Sequence, residues 1–139
     1  MTKLRQLHQM QHLVQAAYDQ QQQSFGKIIA EETTLRRELQ RVDQMDLEAR
    51  IAVQSDIGMR AIGSDVIWQS WVGRTKTQLN LELARVLAIK EQHLAAVRKA
   101  YGKVMVVEAL ITQENAVEKK AQQKRALDTT IDYAVSMRS

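Results

Sequence analysis

Few residues in this chain have the type and spacing to do chemistry. His8 and His12 stand four apart on one helical face, the separation of two metal ligands on a helix. The intervening Gln9-Met10-Gln11 lacks the glutamate of a metalloprotease helix, and no third ligand accompanies them. They read as part of a glutamine-rich polar surface. Glu31 with Glu32, and Asp43 with Asp46, are neighbouring carboxylates expected on exposed helix faces, with nothing nearby that suggests a pocket able to shift their protonation. The chain has no cysteine, which excludes a disulfide framework, a thiolate metal site and a thiol nucleophile. It carries no glycine-rich phosphate loop, Ser-His-Asp arrangement or nucleotide fingerprint. The expectation is a protein that is no enzyme, with no catalytic residue, metal or cofactor.

Two other features point to binding. Trp68 and Trp71 are the only tryptophans, three apart in a chain with 4% aromatic residues. Each offers about 150–250 Å² of surface to bury, more than a thin core can absorb twice at one level. An exposed indole patch marks a binding site. The net charge is +4, and residues 65–139 hold the whole excess. Arg74, Lys76, Arg85, Lys90, Arg98, Lys99 and Lys103 face only Glu82 and Glu91 in number, which reads as a solvated helical face. Lys119, Lys120, Lys124 and Arg125 against Glu118 could instead dock on an acidic partner surface. Only Tyr101 interleaves with these basic residues, so a weak nucleic-acid binder is the least favoured reading and nucleic acid is not expected as a partner.

The elements that position these residues follow from composition. There is no proline in 139 residues, where about seven would be usual, and there are only five glycines. Both residues disrupt helix interiors, and the abundant Gln, Ala, Leu, Arg, Lys and Glu all enter helices at little cost. No stretch alternates as a strand would. The Gln20–Gln23 run reads as a solvated helical face, because its flanks Tyr18 and Phe25 keep the heptad frame.

That frame runs unbroken through the first half. Its a positions are Leu4, Gln11, Tyr18, Phe25, Glu32, Leu39, Asp46, Val53 and Arg60. Its d positions are Leu7, Val14, Gln21, Ile28, Leu35, Val42, Ala49 and Asp56, and eleven of the seventeen are apolar. Such a repeat predicts a left-handed coiled-coil seam. In the second half Leu83, Leu87, Lys90, Leu94, Val97, Tyr101, Val104, Glu108 and Ile111 follow an alternating 4-3 spacing, with Trp68, Val72 and Leu79 roughly in line upstream. Between the halves, Gly58 can end one helix in a left-handed conformation, and Ser64 or Asp65 can cap the next.

The predicted fold is all-α, a single antiparallel coiled-coil hairpin over residues 1–139. Helix one spans about residues 3–57, the bend about 58–65 and helix two about 66–136, which makes helix two overhang by several turns. A bundle in which Gly26 and Gly102 also break helices is the alternative. The opening Met1-Thr2-Lys3-Leu4-Arg5 leads into polar residues, not a signal peptide, and no run approaches a membrane span. A cytoplasmic protein is expected.

The stretch Ile67-Trp68-Gln69-Ser70-Trp71-Val72-Gly73-Arg74-Thr75-Lys76-Thr77-Gln78-Leu79, followed by a long Gln/Arg/Lys-rich helix and the charged Glu118–Arg125 segment, resembles the FliJ family. These are flagellar export proteins of the type III secretion apparatus. The N-terminal third departs from the family pattern in its glutamine content, and the tail in lacking further aromatics. The resemblance implies a stalk that inserts its terminal end into a hexameric export ATPase. Its bend end then reaches an export-gate membrane protein, with export chaperones as further partners. It would act at the cytoplasmic face of the secretion apparatus, attached to the membrane only through those partners. On that reading Lys119, Lys120, Lys124 and Arg125 face the ATPase. Trp68, Trp71, Val72 and Leu79 of helix two, with Leu35, Leu39 and Val42 of helix one, form the gate-facing surface. A generic coiled-coil adaptor or chaperone is the competing reading.

Overall fold

The structure, a computed structural model, describes residues 2–55, 58 and 63–138. Two long helices account for it: α1 is Thr2–Gln54 and α2 is Ser64–Arg138. Gly26 and Gly102 lie inside these helices and break neither. The fold is all-α, a two-helix antiparallel hairpin. Of the expected bend, Ile57 and residues 59–62 lie outside the described residues, as do the frame positions Asp56 and Arg60.

The start of α2 differs from expectation in its cap. Gly63 has φ of +75°, a left-handed backbone that suits glycine. Its carbonyl accepts the N–H of Ile67 at 3.3 Å, the first hydrogen bond of the helix. The cap position therefore belongs to Gly63 and not to Ser64 or Asp65. Both of those lie within the first helical turn, where the Asp65 carboxylate complements the positive end of the helix dipole.

Contacts divide the chain into two compact units, Gln22–Ala96 and Met1–Gln21 with Val97–Ser139. In the first, Asp46 meets Trp68, Asp43 meets Lys76 and Glu32 meets Lys90. Numbers rise along one helix as they fall along the other, so the pair is antiparallel. Leu35, Val42, Val72, Leu79, Leu83 and Val86 form the core, with Ile28, Leu39, Trp68 and Leu87 packed against it. In the second unit Leu7, Val107 and Ile111 form a core flanked by Leu4 and Val14. Tyr18 packs on Tyr101 with ring centroids 5.4 Å apart, and Lys3 meets Glu114 at 3.5 Å. Here too the helices run antiparallel. Residues 119–138 of α2 extend past this pairing with every described side chain exposed, an overhang of about 30 Å.

Every described a and d position of α1 is buried or half-buried, from Leu4 and Leu7 to Ala49 and Val53. The α2 frame needs one correction. Leu83, Lys90, Val97, Val104 and Ile111 do face the seam, but the alternate row is Val72, Leu79, Val86, His93, Ala100 and Val107. It runs one residue ahead of the expected Leu87, Leu94, Tyr101 and Glu108. The physical reason is plain at its end: Val107 is 4% exposed where the expected row would have buried the Glu108 carboxylate. Leu87 and Leu94 stay half-buried beside the seam, and Tyr101 is half-exposed over Tyr18.

Seam position, not hydrophobicity, should therefore decide the cost of a truncation. Leu35→Ala is expected to destabilise the fold by about 2–4 kcal/mol. Leu13→Ala, at a site 71% exposed, should change it by less than about 0.5 kcal/mol. Thermal and denaturant unfolding followed by circular dichroism checks the contrast.

Candidate functional site

The tryptophan stretch occupies the first turns of α2, where the Gly63 cap sets the helix start and the three-residue spacing puts both indoles on neighbouring faces. They lie together, ring centroids 5.0 Å apart and planes inclined by 31°. Their roles differ. Trp68 turns towards α1, packs against the core and donates its indole N–H to Asp46 Oδ1 at 3.1 Å. Gln69 Nε2 donates to the same oxygen at 3.0 Å. Arg50 holds the other carboxylate oxygen at 3.1 Å and reaches Gln69 Oε1 at 3.4 Å. Asp46 is thus the centre of a knot that ties the start of α2 to α1.

Partial desolvation pulls the Asp46 carboxyl upward, but the indole, the Gln69 amide and the Arg50 guanidinium together outweigh it. Its pKa lies below the ordinary carboxylate range. Further along the same unit, hydrogen bonds from Lys90 and then Arg36 hold Glu32 below its ordinary value as well. Lys90 donates to Glu32 Oε1 at 2.8 Å, and Arg36 to Oε2 at 2.9 Å.

Trp71 points outward and is 38% exposed. It forms one wall of a groove of about 270 Å³ with Glu38, Arg41, Val42, Met45, Thr75 and Leu79. A second groove, of about 220 Å³, lies on the Trp68 side between Ala49, Arg50, Val53 and Asp65. Both are open to solvent and lined by apolar and charged side chains together, a form suited to holding a side chain of a partner.

The other residues expected at this surface fall into place by burial. Val72, Leu79, Leu35 and Val42 are 4–8% exposed and pack on one another in the seam, with Leu39 half-buried beside them. They support the surface from beneath, and of them only Val42 and Leu79 reach the floor of the Trp71 groove. The structure does not bring Lys119, Lys120, Lys124 and Arg125 to this place. All four are exposed on the overhang of α2, in the other unit. His8 Nδ1 lies 3.4 Å from Gln11 Oε1, and among the described residues no three His, Cys, Asp or Glu gather as metal ligands. No helix among them is long and apolar enough to cross a membrane.

The sequence placed Glu32 and Asp46 on exposed helix faces, but both are half-buried with side chains 14% exposed, and it gave Arg50 and Gln69 no part in a site. A signal was present: Asp46 is an acidic residue at a seam position, and such a group needs a partner across the seam.

Comparison with protein-family models, with curated proteins and with solved structures finds no match.

The two indoles should separate in mutagenesis. Trp68→Ala is expected to lower the melting temperature by about 5 °C or more, while Trp71→Ala leaves it nearly unchanged. Acid should act through the two carboxylates. Their folded pKa values are depressed, so their contribution is complete above the unfolded values of about 4 and is lost as pH falls through the folded ones. Melting temperature should hold from pH 7 to pH 5 and drop below about pH 4. In Glu32→Gln with Asp46→Asn it should start lower at neutral pH and drop less.

Proposed function

We propose that this chain is a non-enzymatic stalk of the FliJ type, coupling a hexameric protein-export ATPase to a membrane-embedded export gate. The observation that carries the reading is the presence of two unlike surfaces on one chain. One is an aromatic groove beside Trp71, at the start of α2. The other is an exposed, single-helix basic end that bears Lys119, Lys120, Lys124 and Arg125. The resemblance of residues 67–79 and 118–125 to that family supplies the partners. The open grooves accord with a binding role.

In this reading the overhang enters the ATPase ring, where its basic side chains face acidic groups. A lone coiled coil contacts six subunits unequally, and it can therefore favour one conformation in some of them and another in the rest. The stalk hydrolyses nothing itself. Trp71 seats in the gate, with Trp68 as the staple that holds the groove in shape. The protein would act at the cytoplasmic face of the secretion apparatus.

Reversing Lys119, Lys120, Lys124 and Arg125 to glutamate is expected to weaken binding to the purified export ATPase at least tenfold at low salt. The loss should shrink at high salt, because charges separated by more than about 8–10 Å are screened at physiological ionic strength. Trp71→Ala should weaken gate binding at least tenfold, as loss of an interface anchor typically costs about 2 kcal/mol. Titrations of labelled chain with each partner check both. A wild-type chain that binds neither partner would return the protein to the adaptor reading.

A further inference from the structure

The overhang of α2 carries a pattern that extends beyond the α1–α2 cores, and of its residues the proposed function uses only Lys124. Val117, Ala121, Lys124, Asp128, Ile131 and Val135 follow one another at steps of four, three, four, three and four. That is a heptad seam of its own. At about 100° per residue these six side chains fall within about 80° of one another. The intramolecular seam, continued, would share Ala121, Asp128 and Val135 with this stripe. The other row differs: the stripe has Val117, Lys124 and Ile131 where the seam would have the charged Glu118, Arg125 and Asp132. All six residues are exposed, Val117 by 54%, Ile131 by 49% and Val135 by 64%. Val117 borders a groove that it shares with Lys3 and Leu7 of α1, and the other five lie among the exposed side chains of residues 119–138.

The order of residues on this stripe says what fits it. Reversed about the level of residue 126, the stripe matches itself. Val117 comes opposite Val135, Ala121 opposite Ile131, and Lys124 opposite Asp128. The small residue meets the large one, the two valines meet at each end, and two Lys–Asp pairs form at the centre. Sliding the register by one heptad would set Val117 against Asp128 and Ala121 against Lys124. Parallel pairing would set Lys124 against Lys124 and Asp128 against Asp128. A central polar pair of this kind fixes register and orientation in coiled coils, because any other alignment strands a charge. Leu127, 59% exposed, lies on the flank of the same face and would approach its own counterpart across the two-fold axis.

We infer that the overhang is a homodimerisation surface, on which α2 of a second copy packs antiparallel with residue 126 at the two-fold axis. The contact spans about 20 residues, or 30 Å, of each helix. Standard stable interfaces bury about 1,200–2,000 Å² in total, and a contact this short lies at or below the lower end. The dimer is accordingly a weak one that forms in the free protein and opens when a tighter partner takes the overhang.

Sedimentation velocity of the full chain alone, over a concentration series, tests this without any other protein and so independently of the stalk reading. Wild type should pass from monomer to dimer. Lys124→Asp alone, or Asp128→Lys alone, should weaken dimerisation at least tenfold, since each creates like charges at the centre. Mixing those two variants should restore dimers, as should placing both substitutions in one chain. Both positions are exposed on a single helix, so circular dichroism should show every variant fully helical. A wild-type chain that stays monomeric throughout would overturn the inference. So would dimers indifferent to both substitutions, or single variants that mixing fails to rescue.

Discussion

Glu32 occupies a seam position of α1, where a carboxylate loses much of its water, and Lys90 meets it from a seam position of α2. That pair, with the Asp46 knot, sets the register of the Gln22–Ala96 unit. Valine and leucine seams are permissive, because one apolar layer packs almost as well on the next. A charge at the seam is not, because a slip of one heptad leaves it desolvated and unpaired. Each pair by itself adds little to net stability. Together they select one alignment of two helices whose apolar rows would tolerate several.

The consequence for function is that the aliphatic residues are committed. Leu35, Val42, Val72 and Leu79 are spent on holding α1 to α2, and what remains for partners lies outside the seam. Trp71 and its groove stand at one place, fixed by the Trp68 indole that reaches back to Asp46. The overhang stands at another, where every described side chain from Lys119 onward is exposed.

Much of this was legible in the sequence. The α1 heptad frame could be read residue by residue, because a seam with a period of seven leaves the same mark whatever lies across it. The α2 frame was half legible. Leu87, Leu94 and Tyr101 are larger than Val86, His93 and Ala100, and size alone favoured the wrong row. Only Glu108 against Val107 argued for the right one, through the cost of burying a carboxylate. The division of labour between Trp68 and Trp71 was not legible, since it depends on Asp46 lying across the seam, and that is a fact of register and not of local sequence. The cap at Gly63 was missed for a different reason. Ser64 and Asp65 are better capping side chains, but the chain enters the helix through a left-handed backbone that glycine adopts at least cost.

The central claim is that one chain folds its two helices antiparallel in this register. The absence of native cysteine allows a direct test: spin labels on cysteines placed at Asp43 and Lys76, diluted into excess unlabelled protein so that only distances within one chain are read. The account predicts a separation of about 20 Å or less, the reach of two labels across one helix pair with axes about 8–10 Å apart. A distance near 50 Å, the length of the intervening 33 residues as continuous helix, would contradict it.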